Sequence, residues 1–418
     1  MLESNIVVWV QREEKGMRIL SITAQKPDST GSGVYLTELV KGFQKLGHEQ
    51  AVICGVLEED AIVLPDGVAC FPYYYKTKEL PFAVLGMSDE MPYESTRYCD
   101  MTEEMTGQLK DVLTSHLRNS IETFCPDIIL CHHLYFITSI VRELYPEKKI
   151  YAICHGSDLR QMKKNPWQIS YIKEQIVKLD GILALHKEQR DDIIETYNCE
   201  ADKVQVIGTG YNKDVFYIQG QMNKEDDRQR LIFAGKISEK KGVMSLIRAL
   251  SYIEDVEKKY ILALAGGAGN QEEFGEIQRM AEESPCEVLF LGKLSHEELA
   301  KEMNCSDIFV LPSFFEGLPL VIIEAMACGL RVVCTDLPGI RPWMDSALPG
   351  HCVTFVKAPE MRNADEPLET ELPIFEKQLA EAILFAKEKE IPKKEEVQKL
   401  SWEGLCHTCA QMFERDIM

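Results

Sequence analysis

Two glutamates, Glu316 and Glu324, stand eight positions apart in the apolar segment 313–329. Pro319 predicts the start of a helix that carries Glu324, because proline is tolerated in the first turn of a helix. Glu316 then lies in the loop before the helix, beside free N–H groups that favour an anion. The pair could hold a diphosphate and hydrogen-bond a sugar. The spacing alone fits a helix cap and a solvated carboxylate equally well.

Two lysines could neutralise such a diphosphate. Lys236 directly follows the β-branched run 231–235, and Lys241 comes five positions later. Fixed positive charge stabilises a departing diphosphate, so lysines at the carboxyl end of a strand are suited to this role. Two lysines near a glycine also occur in ordinary solvated turns, and their position after a strand is what favours the functional interpretation.

Three histidines, His132, His133 and His155, follow two successive apolar runs in the first half of the chain. A lone histidine at such a place is more often a packed residue than a catalyst. Three histidines at neighbouring strand ends favour a site, because ligands of open parallel sheets bind at the carboxyl ends of the strands.

Short apolar runs alternate with segments of helical period along the whole chain, and this alternation predicts an α/β fold with parallel sheets. The pattern restarts after a polar stretch, which predicts two doubly wound, Rossmann-like domains that face each other across a cleft and are joined between Gly208 and Arg230. The predicted strands lie in the runs 18–22, 51–54, 127–131, 151–154, 181–185, 231–235, 260–265, 288–291, 308–311 and 332–334.

The composition and net charge of the chain limit the kinds of partner it can bind. The 418 residues carry a net charge of −21, which disfavours nucleic acid and anionic membranes. Residues 151–250, with 16 basic and 14 acidic side chains, are the stretch that opposes an anion least. The scattered 14 cysteines, and an opening apolar run too short for a signal peptide, predict a reduced cytoplasmic protein. Whether residues 1–16 are structured stays open.

The segment Phe315–Pro319 followed by Glu324–Gly329 closely resembles the motif of retaining glycosyltransferases of family 4, which have the GT-B fold. The resemblance extends over most of the chain. It includes Gly31–Gly33, Leu46–Glu49, Asp127–Leu134, His155–Leu159, Val204–Phe216, Gly235–Gly242, Leu291–Leu294 and Ser401–Glu403.

The resemblance implies a metal-independent transfer of a sugar from a nucleotide donor, with a UDP-sugar favoured, and no required cofactor. It implies an N-terminal acceptor-side domain at 1–215, a nucleotide-sugar-binding domain at 216–395, and a helix at 396–418 that crosses back to the first domain. The chain contains no Asp-x-Asp pair, the usual metal ligand of the other large glycosyltransferase fold, and no metal site is expected.

Site residues follow from the same resemblance. Glu324 would bind the ribose hydroxyls, Glu316 the transferred sugar, and the main chain of Leu294 the base. The residues expected to act in catalysis are His133, His155, Lys236, Lys241 and Glu316. The residues expected to bind the donor are Gly31, Ser32, Gly33, His132, Gly235, Lys236, Lys241, Leu294, Glu316, Gly317, Leu318, Pro319, Leu320 and Glu324.

The sequence indicates the acceptor-binding residues less directly than the donor-binding ones. Aromatic and basic loops suggest Tyr73, Tyr75, Asp158 and Arg160 as contacts to a small-molecule, glycan or lipid-linked acceptor, although ordinary surface loops fit equally well. Lys163 and Lys164 beside Arg160 would suit a phosphorylated acceptor or a transient membrane-surface contact.

Two other functions are weighed against transfer. An epimerase or isomerase of the same fold would act on the nucleotide sugar without an acceptor, and a binding protein would lack catalysis. The complete motif at 315–329 and the retained charged residues favour transfer over both. A nicotinamide dehydrogenase is disfavoured, because neither Gly31–Gly33 nor Gly266–Gly269 completes the dinucleotide fingerprint.

Overall fold

The computed structural model describes residues 16–27, 30–87, 91–220, 227–268, 270–316, 318–362 and 366–417. The chain divides into two compact units. The first contains residues 1–185, 189–207 and 406–418, and the second contains residues 186–188 and 208–405. The segment 1–16, apart from Gly16, lies outside the described residues.

The first unit is built on a seven-stranded parallel sheet with the order β3-β2-β1-β6-β7-β8-β9. The direction in which successive strands are added to the sheet reverses between β1 and β6. Such a switch point opens a crevice at the carboxyl ends of the strands. Two short strands, β4 and β5, pair separately. The strands are β1 (Arg18–Ile22), β2 (Glu49–Val56), β3 (Ala69–Tyr74), β4 (Leu85–Gly86), β5 (Thr96–Arg97), β6 (Ile128–His132), β7 (Ile150–Ile153), β8 (Gly181–Ala184) and β9 (Val204–Val206).

Helices connect these strands and bury the apolar faces of the sheet. The side chains of β6, β7 and β8 are fully buried, as expected for parallel strands covered on both faces. The helices are α1 (Gly31–Lys45), α2 (Glu103–Phe124), α3 (Phe136–Leu144), α4 (Ser157–Lys164), α5 (Ile169–Ile176) and α6 (Lys187–Tyr197).

The second unit contains a six-stranded parallel sheet with the order β12-β11-β10-β13-β14-β15, so its order reverses between β10 and β13. The strands are β10 (Gln229–Ala234), β11 (Tyr260–Ala265), β12 (Glu287–Gly292), β13 (Ile308–Leu311), β14 (Arg331–Asp336) and β15 (Val353–Lys357). The helices are α7 (Val243–Leu250), α8 (Val256–Lys259), α9 (Gln271–Glu282), α10 (His296–Asn304), α11 (Val321–Ala327), α12 (Ile340–Ala347), α13 (Leu372–Ala386), α14 (Lys394–Gln398) and α15 (Trp402–Ile417).

Helix α15 begins in the second unit, and from Cys406 onward its residues belong to the first. There the Cys406 thiol donates to the Leu39 carbonyl oxygen at 3.5 Å, and the Phe413 ring packs against Phe43 and Tyr151. Among the described residues no helix is long and apolar enough to cross a membrane. All fourteen cysteines are free thiols.

The α/β architecture with two doubly wound parallel sheets confirms the predicted fold class. Five strands lie outside the predicted apolar runs: β3, β4, β5, β9 and β15. The strand β3, at one edge of the first sheet, contains Pro72, and an edge position tolerates proline because its missing N–H need not pair. The strand β15 forms one edge of the second sheet.

Candidate nucleotide-sugar site

The switch point of the second sheet brings Lys241 and Glu316 together. Lys241 lies in a 3-10 turn after β10, and Glu316 lies in the loop after β13. The Lys241 ammonium donates to Glu316 Oε1 at 2.7 Å, and both side chains are partly buried. Two residues predicted to contact different parts of a donor therefore pair with each other.

A glycine makes this approach sterically feasible. Gly242 has φ +70°, and a Cβ built on it would lie 2.0 Å from the Pro312 carbonyl oxygen. The Phe314 N–H also donates to the Lys240 carbonyl oxygen at 3.1 Å. The turn after β10 is thus fixed against the exit of β13.

A cavity of about 660 Å³ opens at the carboxyl ends of β10, β11 and β12, and neither Lys241 nor Glu316 is among the described residues that line it. The size is within the range of small-molecule and cofactor sites. The cavity is lined by Ala234, Gly235, Lys236, Ala265, Gly266, Gly267, Ala268, Lys293, Leu294, His296, Leu299, Val321 and Glu324.

Glu324 gives the cavity an acidic wall. It lies on α11, which begins at Val321 rather than at Pro319 as predicted. The side chain is half-buried, and burial raises the pKa of its carboxyl to about 7. A carboxylate that has lost hydration is suited to accept hydrogen bonds from ligand hydroxyls, which replace the missing water.

The remaining predicted donor residues of this unit lie around the same space. Gly235, Lys236 and Leu294 line the cavity, and Lys236 is exposed to solvent. Leu318, Pro319 and Leu320 precede α11 and are buried or partly buried. Gly317 lies outside the described residues.

The segment Leu291–Leu294, which the resemblance includes, brings Lys293 to the cavity, whereas sequence reasoning missed the contributions of His296, Gly266 and Gly267. The glycines after β11 were compared only with a dinucleotide fingerprint. Their actual role is close backbone approach, since a Cβ on Gly266 would lie 1.7 Å from the Gly235 carbonyl oxygen. Two glycines at the end of an apolar strand were the available indication.

Gly266→Ala is therefore expected to lower the free energy of unfolding by about 2 kcal/mol or more, because backbone must move to relieve the clash. Gly275→Ala, in the middle of α9 with no heavy atom within 4 Å of the new Cβ, serves as control and should stabilise by about 0.5–1 kcal/mol. Urea denaturation of the two variants measures both changes. Equal stabilities would contradict the close approach of Gly235 and Gly266.

The predicted histidines of the first unit converge at the ends of β6 and β7. His132 Nδ1 lies 3.1 Å from His155 Nε2, and the two rings stack. Burial lowers the pKa of His132 to about 3, and it also lowers the pKa values of His133 and His155. All three imidazoles are consequently neutral near pH 7, and they can hydrogen-bond a ligand but supply no positive charge.

Asp158, predicted as an acceptor contact, is fully buried and fixes this histidine cluster from within. Its Oδ2 accepts from the Leu134 N–H at 2.9 Å and the His155 N–H at 3.2 Å, and its Oδ1 accepts from the Cys154 thiol. The carboxylate thus holds the strand ends, and it has no exposed surface with which to contact an acceptor. Its predicted role is corrected to a positioning one.

Asp158→Ala leaves buried N–H groups without an acceptor, and we expect it to lower the free energy of unfolding by about 2–4 kcal/mol. The exposed Asp111→Ala on α2 provides the matched control and should change stability by less than about 0.5 kcal/mol. Chemical denaturation followed by circular dichroism compares the two. A loss at Asp158 no larger than that at Asp111 would refute the positioning role.

The remaining predictions for the first unit have different outcomes. Gly31, Ser32 and Gly33 form the first turn of α1, where the Thr30 hydroxyl accepts from the Gly33 N–H at 3.1 Å.

Tyr73 and Tyr75 are buried in the core, and they are withdrawn as acceptor contacts because no part of either ring is available. They were taken for loop residues since Pro72 obscured strand β3. Arg160 is exposed on α4.

No group of three or more His, Cys, Asp or Glu side chains in the described part of the chain is arranged to hold a metal ion.

Two parallel-sheet units and a nucleotide-sized cavity at strand ends define a protein of the GT-B class. Solved structures share this fold at TM-scores near 0.6. Sucrose-phosphate synthase from Thermosynechococcus elongatus matches at 17% identity and TM-score 0.61, covering 96% of this chain and 98% of that one. Anabaena HepE in complex with UDP matches at 15% identity and TM-score 0.60, covering 96% and 100%.

Matches to two family models indicate the class of reaction. "Glycosyltransferase Family 4" matches residues 106–215, and "Glycosyl transferases group 1" matches residues 216–361. Alpha-maltose-1-phosphate synthase of Mycobacterium tuberculosis is 23% identical over 81% of this chain and 85% of its own length. D-inositol 3-phosphate glycosyltransferase of Corynebacterium jeikeium is 30% identical over 43% of this chain and 46% of its own. These matches support a glycosyltransferase that resembles the group 1 and family 4 enzymes.

Proposed function

We propose that this glycosyltransferase moves a sugar, with retention of anomeric configuration, from a nucleotide donor to a phosphorylated small-molecule acceptor. The observation that carries the donor assignment is Glu324, a half-buried carboxylate that lines a cavity together with glycine backbone, lysines, His296 and apolar side chains. A UDP-sugar is the favoured donor, and the UDP complex of HepE supports this choice.

In this proposal the donor lies along the carboxyl edge of the second sheet. The Glu324 carboxylate accepts hydrogen bonds from the ribose hydroxyls, and the main chain near Leu294 contacts the base. Lys236 and Lys241 neutralise the diphosphate, while Glu316 accepts from hydroxyls of the transferred sugar. Lys241 and Glu316 are paired at 2.7 Å, and the ammonium retains further hydrogen-bond donors with which to contact the diphosphate.

The transfer step breaks the bond between the sugar C1 and the diphosphate oxygen, and it forms a bond from C1 to the acceptor oxygen on the same face. A short-lived ion pair lies between the two events. The acceptor proton passes to the departing diphosphate oxygen, which serves as the base. The histidines of the first unit, neutral because of burial, would then hydrogen-bond hydroxyls and are too weakly basic to remove protons.

A phosphorylated acceptor is proposed on two grounds. The names of two relatives, a maltose-1-phosphate synthase and an inositol 3-phosphate glycosyltransferase, each include a phosphorylated sugar or polyol. In this chain Arg160, Lys163 and Lys164 place exposed positive charge on one short helix of the first unit. A basic surface of this kind attracts a phosphate ester.

Purified protein incubated with a panel of nucleotide sugars and sugar phosphates tests the function. We expect one combination to yield nucleoside diphosphate and a glycosylated phosphate in equal amounts, and the NMR coupling constant at C1 should match that of the donor. An inverted anomer would refute retention. Conversion of the donor to an epimer without acceptor would identify an isomerase, and tight binding without any product would identify a binding protein.

A further inference from the structure

Within the first unit, the C-terminal part of α15 packs along one face of α1. The Cys406 thiol donates to the Leu39 carbonyl oxygen at 3.5 Å, and the ring centroids of Phe43 and Phe413 are 6.0 Å apart. Tyr35 shares this face of α1, because residues four positions apart in a helix are neighbours on its surface. The face that packs against α15 therefore continues toward the N-terminal end of α1.

Tyr35 lies near both α15 and the histidine cluster at the ends of β6 and β7. Its side chain is buried, and burial raises the pKa of its hydroxyl well above the usual range. The nearby Cys409 and Cys406 thiols of α15 raise this pKa further. The Tyr35 ring also meets the His155 ring edge to face, with centroids 5.3 Å apart and an angle of 79° between the planes. This geometry is attractive between aromatic rings and restrains both of them.

His155 is in contact with both other imidazoles of the cluster. Its Nε2 lies 3.1 Å from His132 Nδ1, and its ring centroid lies 4.8 Å from that of His133. Asp158 fixes the backbone N–H of His155 at 3.2 Å, so the neighbouring rings are left to set the orientation of the imidazole. A hydrogen bond depends on distance and angle, and a rotation of the His155 ring would therefore weaken its bond to His132.

From these contacts we propose that Tyr35 is a positioning residue, whose ring holds the His155 imidazole in the orientation that sugar transfer uses. The inference rests on the proposed function, in which the histidines hydrogen-bond ligand hydroxyls. Because α15 packs against the same face of α1, the C-terminal segment of the chain also contributes to the geometry of the histidine cluster. A displacement of about 1 Å at a group near the reacting atoms can cost up to a hundredfold in rate.

Three variants separate orientation by the ring from general packing. Tyr35→Leu removes the ring but keeps an apolar side chain, whereas Tyr35→Phe keeps the ring and removes the hydroxyl. Phe43→Leu is the matched control, since Phe43 is fully buried on the same face of α1. Among the described residues its ring meets those of Phe413 and His48, which lie outside the cluster. The two leucine variants should lower the melting temperature by similar amounts, because each loses one buried ring.

NMR of protein labelled with 15N in its nine histidines measures the geometry of the cluster. The signals of His132 and His155 are assigned by their loss in His132→Gln and His155→Gln. The ring-nitrogen shifts report the hydrogen bond between His132 Nδ1 and His155 Nε2. We expect the shifts of both histidines to change in Tyr35→Leu and to stay at the wild-type values in Tyr35→Phe and Phe43→Leu.

Transfer kinetics, measured with the donor and acceptor that the wild type uses, give a second readout. Tyr35→Leu should lower kcat/KM for the acceptor about tenfold or more. Tyr35→Phe and Phe43→Leu should stay within about threefold of the wild type. Affinity for the nucleoside diphosphate, which is proposed to bind the second unit, should change less than about twofold in all three variants.

Cys409→Ala tests the same contact from α15, and it decides the question if Tyr35→Leu does not fold. It removes a thiol beside Tyr35 and should also move the ring-nitrogen shifts of His155. Wild-type histidine shifts in a folded Tyr35→Leu protein would overturn the proposal, and wild-type shifts in Cys409→Ala would overturn the contribution of α15.

The kinetic results can contradict the proposal independently. Equal losses of transfer in Tyr35→Leu and Phe43→Leu would show a general effect of packing and overturn the role of Tyr35. A loss in Tyr35→Phe as large as that in Tyr35→Leu would show that the hydroxyl acts, and it would overturn the role of the ring. A wild type that transfers no sugar would refute the proposed function, whereas the histidine shifts would still decide whether Tyr35 orients His155.

Discussion

Glu316→Gln is expected to lower the rate of sugar transfer by about a hundredfold or more while the protein stays folded. The carboxylate lies at the switch point of the second sheet, 2.7 Å from the Lys241 ammonium. Glutamine keeps the shape but loses the charge that accepts strong hydrogen bonds from sugar hydroxyls and orients Lys241. Loss of one preorganised polar group at a reacting centre commonly costs two to three orders of magnitude in rate.

Stability should change little in this variant. Both side chains keep some contact with solvent, and ion pairs of this kind contribute about 0–1 kcal/mol to folding. Lys241→Met should impair transfer to a similar degree, because the diphosphate then loses a cation. Initial rates at saturating donor measure both effects, with the exposed Glu297→Gln as control. Full activity in Glu316→Gln and Lys241→Met would disprove the assignment of the site.

Glu324→Gln is expected to make the protein more stable and the donor more weakly bound. Burial raises the pKa of Glu324 to about 7 from an ordinary value of 4.5. A raised carboxyl pKa means that the folded state holds the proton more tightly than the unfolded state does. The unfolding free energy therefore falls as pH rises from about 4.5 to 7, and the ionised side chain destabilises the fold above pH 7.

At pH 8 the variant should exceed the wild type in unfolding free energy by an amount on the order of 3 kcal/mol, and near pH 4.5 the difference should vanish. Donor affinity should move the opposite way, with a loss of about tenfold or more at pH 8 because a charged acceptor is replaced by a neutral one. Denaturation curves and calorimetry at the two pH values measure both effects. A Glu324→Gln protein that is less stable than the wild type at pH 8 would show that the carboxylate is structurally required.

The raised pKa of Glu324 also predicts how the donor affinity of the wild type changes with pH. Glu324 accepts hydrogen bonds from ribose best when ionised, so affinity for a nucleotide sugar, which has no terminal phosphate to titrate, should rise between pH 6 and pH 8. Burial lowers the pKa values of the histidines of the first unit. The dependence on pH should be weaker in Glu324→Gln than in the wild type.

The α/β fold and the central residues of the site could be predicted because they depend on local sequence. Apolar runs followed by glycine or charged residues locate strand ends, and in parallel sheets those ends share one edge. The position after an apolar run pointed to Lys236 and Lys241, whereas Glu316 and Glu324 were assigned through the resemblance of the motif at 315–329, and the roles of all four stay predictions. Their mutual contact, with Lys241 paired to Glu316, was not predicted, since it depends on the turn that Gly242 allows.

The residues that were missed or misplaced depend on tertiary arrangement. His296, which follows β12, lines the cavity because β12 lies beyond β11 in the sheet, an order that the alternation of strands and helices does not specify. Tyr73 and Tyr75 resembled loop aromatics, yet the edge strand β3 turns them into the core. Asp158 resembled an exposed carboxylate at a strand end, but its side chain is buried and accepts hydrogen bonds from two backbone N–H groups.

The central claim is that the second unit binds a nucleotide sugar and that Glu316 takes part in transferring its sugar. Mass spectrometry of a reaction containing the purified protein, a nucleotide sugar that binds it and a pool of sugar phosphates tests this most directly. We predict a phosphorylated acceptor heavier by one sugar residue, formed in step with free nucleoside diphosphate and strongly reduced with Glu316→Gln. A donor that binds yet yields no glycosylated product, or a product formed equally by Glu316→Gln, would contradict it.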